Sequence, residues 1–114
     1  NYAHARINQL FGKSGKKREN VLGAKLSDLN ESAQNLLFNA LLLPEVLEDA
    51  FLSRQIQKLT DYLKFLASLL HKFYNENKII GSEFEDKYLK LLDIVALSLR
   101  TGLGLIGINA KNKM

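Results

Sequence analysis

The sequence predicts an all-α protein, a bundle of about five helices. Apolar residues recur at steps of three and four along most of the 114 residues. Turn signals at Gly12, Gly15, Asn30, Pro44 and Gly81 fall between those runs. No segment carries a convincing strand pattern and no internal repeat is visible. The apolar fraction of 46% and charged fraction of 25% are those of a soluble globular domain, and the length suits one core but hardly two.

Each helix has its own reason. Ala3, Ile7, Leu10 and Phe11 form one apolar face, which runs into Gly12-Lys13-Ser14-Gly15-Lys16-Lys17-Arg18. Two glycines and four cations there predict the end of the first helix and a basic, flexible loop over residues 12–25. A second helix is expected after Asn30 or Ser32, with Leu36, Leu37, Ala40 and Leu41 on its apolar side. Pro44 suits the first turn of a third, where its missing N–H costs no hydrogen bond, and Val46, Leu47, Ala50 and Phe51 supply its face. Glu45 and Glu48 sit near the positive end of its dipole.

The fourth helix has the strongest period, through Ile56, Leu59, Leu63, Leu66, Leu70 and Phe73, with Tyr62, Phe65 and Leu69 widening the stripe. A stripe this broad implies burial among several helices rather than a two-stranded coiled coil. Ile79-Ile80-Gly81 closes that segment, and Ser82 with Glu85 forms a capping box for a fifth helix. Phe84, Tyr88, Leu91, Leu92, Val95, Leu99, Leu103 and Ile106 carry its apolar face to a glycine-rich end at Gly102, Gly104 and Gly107.

Several functions are excluded or disfavoured. Without cysteine there is no disulfide, thiolate nucleophile or cysteine-bound metal, and a reducing cytoplasm is a compatible setting. His4 and His71 are the only histidines and neither lies in a metal motif, so no metal ligand is assigned. No P-loop, dinucleotide fingerprint or Gly-x-Ser-x-Gly elbow occurs. Glu83, Glu85 and Asp86 could be imagined as a carboxylate pair, but near a helix start they read as dipole partners and solvated surface. No catalytic residue is assigned. No run approaches the roughly 18 apolar residues of a membrane span, no secretory signal opens the chain, and a cytoplasmic protein is expected. Because the chain opens at Asn1 and enters a helical pattern directly, it reads as a piece of a longer polypeptide, whereas Met114 reads as a natural end.

The net charge of +4 and pI near 9.4 favour polyanionic partners. Lys13, Lys16, Lys17 and Arg18 could neutralise phosphates, although a charge run is usually solvated surface. In His71-Lys72-Phe73-Tyr74-Asn75-Glu76-Asn77-Lys78-Ile79 the packing stripe gives way to aromatic, amide and basic side chains. Tyr74 and Lys78, one helical turn apart, would share a face, and on spacing alone Tyr74 is as readily structural as it is a stacking platform. His71 reads as orienting a neighbour or packing against the next helix, and Asn75 and Asn77 as helix-terminating amides. Lys111-Asn112-Lys113-Met114 adds cations at the terminus.

Strings along the chain, taken in order, resemble a known family. They are Tyr2-Ala3-His4-Ala5-Arg6-Ile7, Leu36-Leu37 leading to Leu43-Pro44-Glu45-Val46-Leu47-Glu48, His71-Lys72-Phe73-Tyr74-Asn75, and Leu99-Arg100-Thr101-Gly102-Leu103 before Leu105-Ile106-Gly107-Ile108 and Met114. Together they resemble the C-terminal, DALR-type anticodon-binding domain of arginyl-tRNA synthetases over nearly the whole chain. The letters DALR are not contiguous here; the nearest string is Ala96-Leu97-Ser98-Leu99-Arg100.

The resemblance implies a helical bundle that binds the anticodon arm of arginine tRNA and is attached to a class I catalytic domain; a monomer is expected. The HIGH and KMSKS-type signatures are absent, so the fragment alone should not aminoacylate, and ATP and Mg belong to the catalytic domain of the parent. The family's late aromatic position falls on Tyr74, with Lys78 replacing a second aromatic of some relatives, and the terminus falls on Met114. The implied RNA-binding set is Tyr74 for stacking, Asn75 for a polar contact, Lys78, Lys111 and Lys113 for phosphates, and Met114 over a base. Tyr2, His4 and Arg6 match the segment entering from the catalytic domain and imply interdomain packing. The rival reading is a small helical protein–protein interaction module without RNA binding.

Overall fold

Leu89, Leu91, Leu92, Val95, Ala96 and Leu99 are all essentially inaccessible to solvent, so their helix is buried on more than one side. That helix organises the chain. The computed structural model describes the backbone of residues 2–112 and the side chains of residues 3–108. Among these residues there are six helices and no strand: α1 (Tyr2–Ser14), α2 (Arg18–Val21), α3 (Glu31–Ala40), α4 (Leu43–Ser53), α5 (Ile56–Glu76) and α6 (Glu85–Asn112). Helices α1, α2, α3 and α5 all pack on α6, and α4 joins through α5. At about 1.5 Å per residue the 28 residues of α6 run nearly the whole 46 Å length of the molecule.

Two contacts set the direction and register of α5 against α6. Near the end of α5 the Phe73 ring meets Tyr88 edge-on, with centroids 5.0 Å apart. Near its middle, Leu63 fills the notch at Gly102 so closely that a Cβ there would stand 2.7 Å from a Leu63 methyl. Because Phe73 follows Leu63 while Tyr88 precedes Gly102, the helices are antiparallel.

The end of α3 is closed by its neighbours. Tyr62 Oη points its single proton between the carbonyls of Asn39 and Ala40, at 2.6 and 3.1 Å, and Ser98 Oγ donates to Ala40 at 2.9 Å. A helix leaves its last carbonyls unpaired, and burial without partners would cost roughly 1–3 kcal/mol each. Burial, assisted by the charge of Glu45, pushes the Tyr62 phenol up to about 12, so it stays a donor at any physiological pH. At the other end of α3, Asn30 Oδ1 accepts from the Ala33 N–H at 2.9 Å, the N-cap the sequence implied.

Several details differ from the sequence expectations. The first helix continues through Gly12 and Lys13 to Ser14, whose Oγ donates to Phe11 O at 2.7 Å and accepts from the Lys16 N–H at 3.0 Å. The segment expected as a loop over 12–25 contains the sixth helix, α2, held by Val21 in the core. The capping box does not form: Glu85 accepts from the Gly81 N–H at 2.6 Å rather than from that of Ser82, whose hydroxyl turns to Ile79 O at 2.9 Å. The glycines at 102, 104 and 107 do not end the last helix, which continues to Asn112. Apolar flanks carry it through, and Gly102 is a packing notch rather than a stop. Phe51, placed on the apolar face of its helix, is 84% exposed, and Leu41 and Phe65 also face outward. The segment Glu85–Ile108 is long and apolar enough to cross a membrane by length and composition, contrary to the expectation; its buried leucines make it the central helix of this bundle.

Gly102 and Gly104 should respond oppositely to substitution. Gly102→Val, which drives a branched side chain into Leu63, should cost about 2 kcal/mol in urea unfolding. Gly104→Ala, with nothing near its would-be Cβ, should gain up to about 1 kcal/mol of helix propensity. Tyr62→Phe should lose about 1–3 kcal/mol by stripping the buried α3 carbonyls of a donor.

Candidate RNA interface

The last turn of α5 sorts its side chains by the helical period. Phe73 is fully buried, Tyr74 is half-buried at the rim, and Asn75 is exposed. Tyr74 packs against the edge of the core, and the Arg6 guanidinium from α1 stands 5.4 Å from its ring centroid. Cation and ring at this separation attract by about 0.5–2 kcal/mol, so α1 helps to hold the tyrosine. Lys78 does not share a helical face with Tyr74, as the spacing suggested. The helix ends at Glu76, Asn77 is extended at φ −132° and ψ 134°, and exposed Lys78 lies beside the Gly81 turn.

Asn77 is the residue that sequence reasoning undervalued. It caps α5, as expected of a terminating amide, with its N–H donating to Phe73 O at 3.1 Å. Its side chain also joins α5 to the start of α3: Nδ2 donates to Ser32 Oγ at 3.0 Å, and Oδ1 accepts from Asn30 Nδ2 at 2.6 Å. The only sequence signal was a helix-capping asparagine at each end, with nothing to pair them.

The basic segment is largely committed to the fold. Lys16 bridges Glu85 at 2.8 Å and Asp86 at 2.5 Å. The Asp86 and Glu85 carboxylates raise the Lys16 ammonium pKa, while the Gly81 N–H and then Lys16 lower that of Glu85. Arg18 donates to Asp93 at 2.5 Å and to Asn8 at 2.6 Å, with its guanidinium over the Phe11 ring. Lys87 and Lys90 of α6 reach the carbonyls of Ser27 and Ala24, strapping the α2–α3 connection down. Of the four proposed phosphate contacts, Lys13 and Lys17 are exposed, whereas Lys16 and Arg18 are half-buried.

Of the residues expected to pack between domains, Arg6 is exposed against Tyr74 and His4 is half-buried beside α6. His4 Nδ1 lies 3.4 Å from Asn8 Nδ2, whose amide oxygen takes the Arg18 bond; the amide can only donate there, so the proton sits on Nε2. Burial first, then the charges of Arg100 and Arg18, lower the His4 pKa. The side chains of Tyr2, Lys111, Lys113 and Met114 lie outside the described residues. The backbone leading to the last three is placed: from Tyr88 to Ile108 α6 climbs about 30 Å away from the Phe73 end of α5. The end of α6 is therefore not brought beside Tyr74.

Among the described residues no group of three or more His, Cys, Asp or Glu could hold a metal ion. A groove of about 340 Å³ beside α3, lined by Leu26, Asp28, Leu29, Gln34, Leu37, Phe38 and Leu41, holds a single carboxylate and no base partner for it.

The described residues form an all-helical bundle that presents a tyrosine, an amide and a lysine around the end of α5. The family model for the DALR anticodon binding domain matches residues 1–114, and the chain belongs to that family. It is 63% identical to an arginine–tRNA ligase of Campylobacter curvus and 60% identical to one of Nitratiruptor sp., in each case over the whole chain and 22% of the relative. A solved chain from Campylobacter jejuni assigned as an arginyl-tRNA synthetase superposes with a TM-score of 0.91 at 56% identity, covering 93% of this chain and 24% of that one. The chain thus spans about a fifth of the length of the curated relatives it matches.

His4 makes stability depend on pH near neutrality. Its pKa is lowered from the ordinary 6.5 by folding, so the unfolded chain binds more protons below that value. Urea midpoints should fall as pH drops from 6.5 toward the folded-state pKa, and His4→Gln should remove that part of the slope.

Proposed function

We propose that this chain is the anticodon-arm binding domain of an arginyl-tRNA synthetase, holding arginine tRNA for aminoacylation by a catalytic domain elsewhere in the parent polypeptide. The observation that carries the reading is the family match across residues 1–114. The amino acid follows from its arginine–tRNA ligase relatives, and ATP with Mg would be handled by the parent's catalytic domain. The setting that fits is a cytoplasmic translation enzyme. The rival interaction-module reading gains nothing from the family match.

The chemistry follows from the exposed end of α5. Anticodon bases are unpaired and can be splayed, stacked on a ring and read at their edges. Tyr74 offers the ring, braced by Arg6; Asn75 offers an exposed amide; Lys78 offers a cation to the loop phosphates. Among the described residues Lys13 and Lys17 form no ion pair, unlike Lys16 and Arg18, and they extend the cationic surface. Lys111, Lys113 and Met114, outside the described side chains, stay in the reading as further tRNA contacts.

Stacking of one base is worth about 1–3 kcal/mol. Tyr74→Leu, which keeps apolar bulk at the rim, should weaken binding of an arginine anticodon stem-loop by about 5- to 150-fold with little change in thermal midpoint. Lys78→Ala should flatten the salt dependence of the same titration by about one counterion. Absence of binding at low salt, or equal binding of a loop with a changed middle anticodon base, would sink the reading.

A further inference from the structure

Asn77, Ser32 and Asn30 close a ring of hydrogen bonds whose donors all run the same way. Asn77 Nδ2 donates to Ser32 Oγ at 3.0 Å, Ser32 Oγ donates to Asn30 Oδ1 at 3.2 Å, and Asn30 Nδ2 donates to Asn77 Oδ1 at 2.6 Å. Backbone groups settle which way each amide points. The Ala33 N–H can only donate, so Asn30 must turn its oxygen toward it and its nitrogen toward Asn77. The Phe73 carbonyl can only accept, so Asn77 must present its nitrogen there, at 3.0 Å, and its oxygen toward Asn30. Tyr88 Oη, at 3.5 Å from the same oxygen, ties the ring to α6.

Neither asparagine is explained by helix capping alone. Asparagine is favoured at C-terminal caps for its tolerance of the left-handed conformation, but Asn77 is extended, at φ −132°. Serine, threonine or aspartate would cap α3 as well as Asn30 does, yet only asparagine also carries the Nδ2 donor that reaches Asn77. What the two identities share is the ring, and the ring sits directly under the turn that presents Tyr74, Asn75 and Lys78.

We infer that Asn77 is a positioning residue for anticodon reading. It clamps the end of α5 to the start of α3 and fixes the direction in which Asn75 and Lys78 leave the bundle beside half-buried Tyr74, while touching no RNA itself. The inference rests on the anticodon-reading function proposed above. Hydrogen-bond readout of a base edge weakens steeply with misalignment, whereas phosphate attraction does not, so loosening the clamp should reduce discrimination before it reduces affinity.

Asn30→Ser separates these effects, because serine keeps the N-cap oxygen and cannot reach Asn77. In the 114-residue chain its thermal midpoint should stay close to wild type. The ratio of dissociation constants between the arginine anticodon stem-loop and the same loop with a changed middle base should shrink about tenfold, a change of about 1.4 kcal/mol. The salt slope and the affinity for the changed loop should not move. Asn77→Ala should shrink the ratio similarly, and adding Asn30→Ser to it should shrink it little further, since both break one ring. A wild-type ratio in Asn30→Ser, or equal weakening toward both loops, would overturn the positioning role and leave the anticodon reading intact. A wild-type chain that fails to distinguish the two loops would overturn both.

Discussion

The antiparallel seating of α5 on α6 is the constraint on which the rest depends. Leu63 in the Gly102 notch and Phe73 edge-on to Tyr88 fix both the direction and the register of the two longest helices. Close packing then leaves few alternatives, because a shift of one turn would pull Leu63 out of its notch and place a side chain against α5. With α5 and α6 in register, Tyr62 and Ser98 meet at the end of α3 and satisfy its last carbonyls. The same register places Asn77 over the N-cap of α3 and leaves Tyr74 at the rim, within reach of Arg6.

The charge of the molecule is distributed by what the bundle consumes. Lys16, Arg18, Lys87 and Lys90 are spent on carboxylates or carbonyls that hold α2 and its connections to α6. Such exposed pairs contribute little stability each, yet they draw their cations away from an approaching phosphate. The positive balance that favours a polyanion therefore resides in lysines such as Lys13, Lys17 and Lys78, which stand in solvent. This division between fold and surface cannot be read from net charge, which counts both populations alike.

What was legible in the sequence follows the range of the interaction involved. The stripe from Ile56 to Phe73, the Asn30 cap and Pro44 in the first turn of α4 are local, and each element appears where its period or cap required. The glycines of α6 look like a stop in the sequence, because the packing reason for Gly102 is the distant Leu63. The basic segment was read as a loop because the acids that order it, Glu85, Asp86 and Asp93, lie some seventy residues away in sequence. Phe51 satisfied the helical period yet faces solvent, since a short helix buries only what its neighbours cover. At the interface the residue types were legible, but the pairing of Asn77 with Asn30 was not, because no periodicity links two capping amides.

The central proposal is that Tyr74 and Asn75 at the end of α5 and Lys78 just beyond it, braced by α1 and α3, form the surface that meets the anticodon loop. The most direct test is to follow backbone amide NMR resonances of the chain as an arginine anticodon stem-loop is added. The account predicts that the largest saturable shifts fall on residues 74–78, with smaller ones at Arg6, Asn30 and Ser32. Shifts confined to the Phe38 and Phe51 surfaces of α3 and α4, with residues 74–78 unmoved, would contradict it.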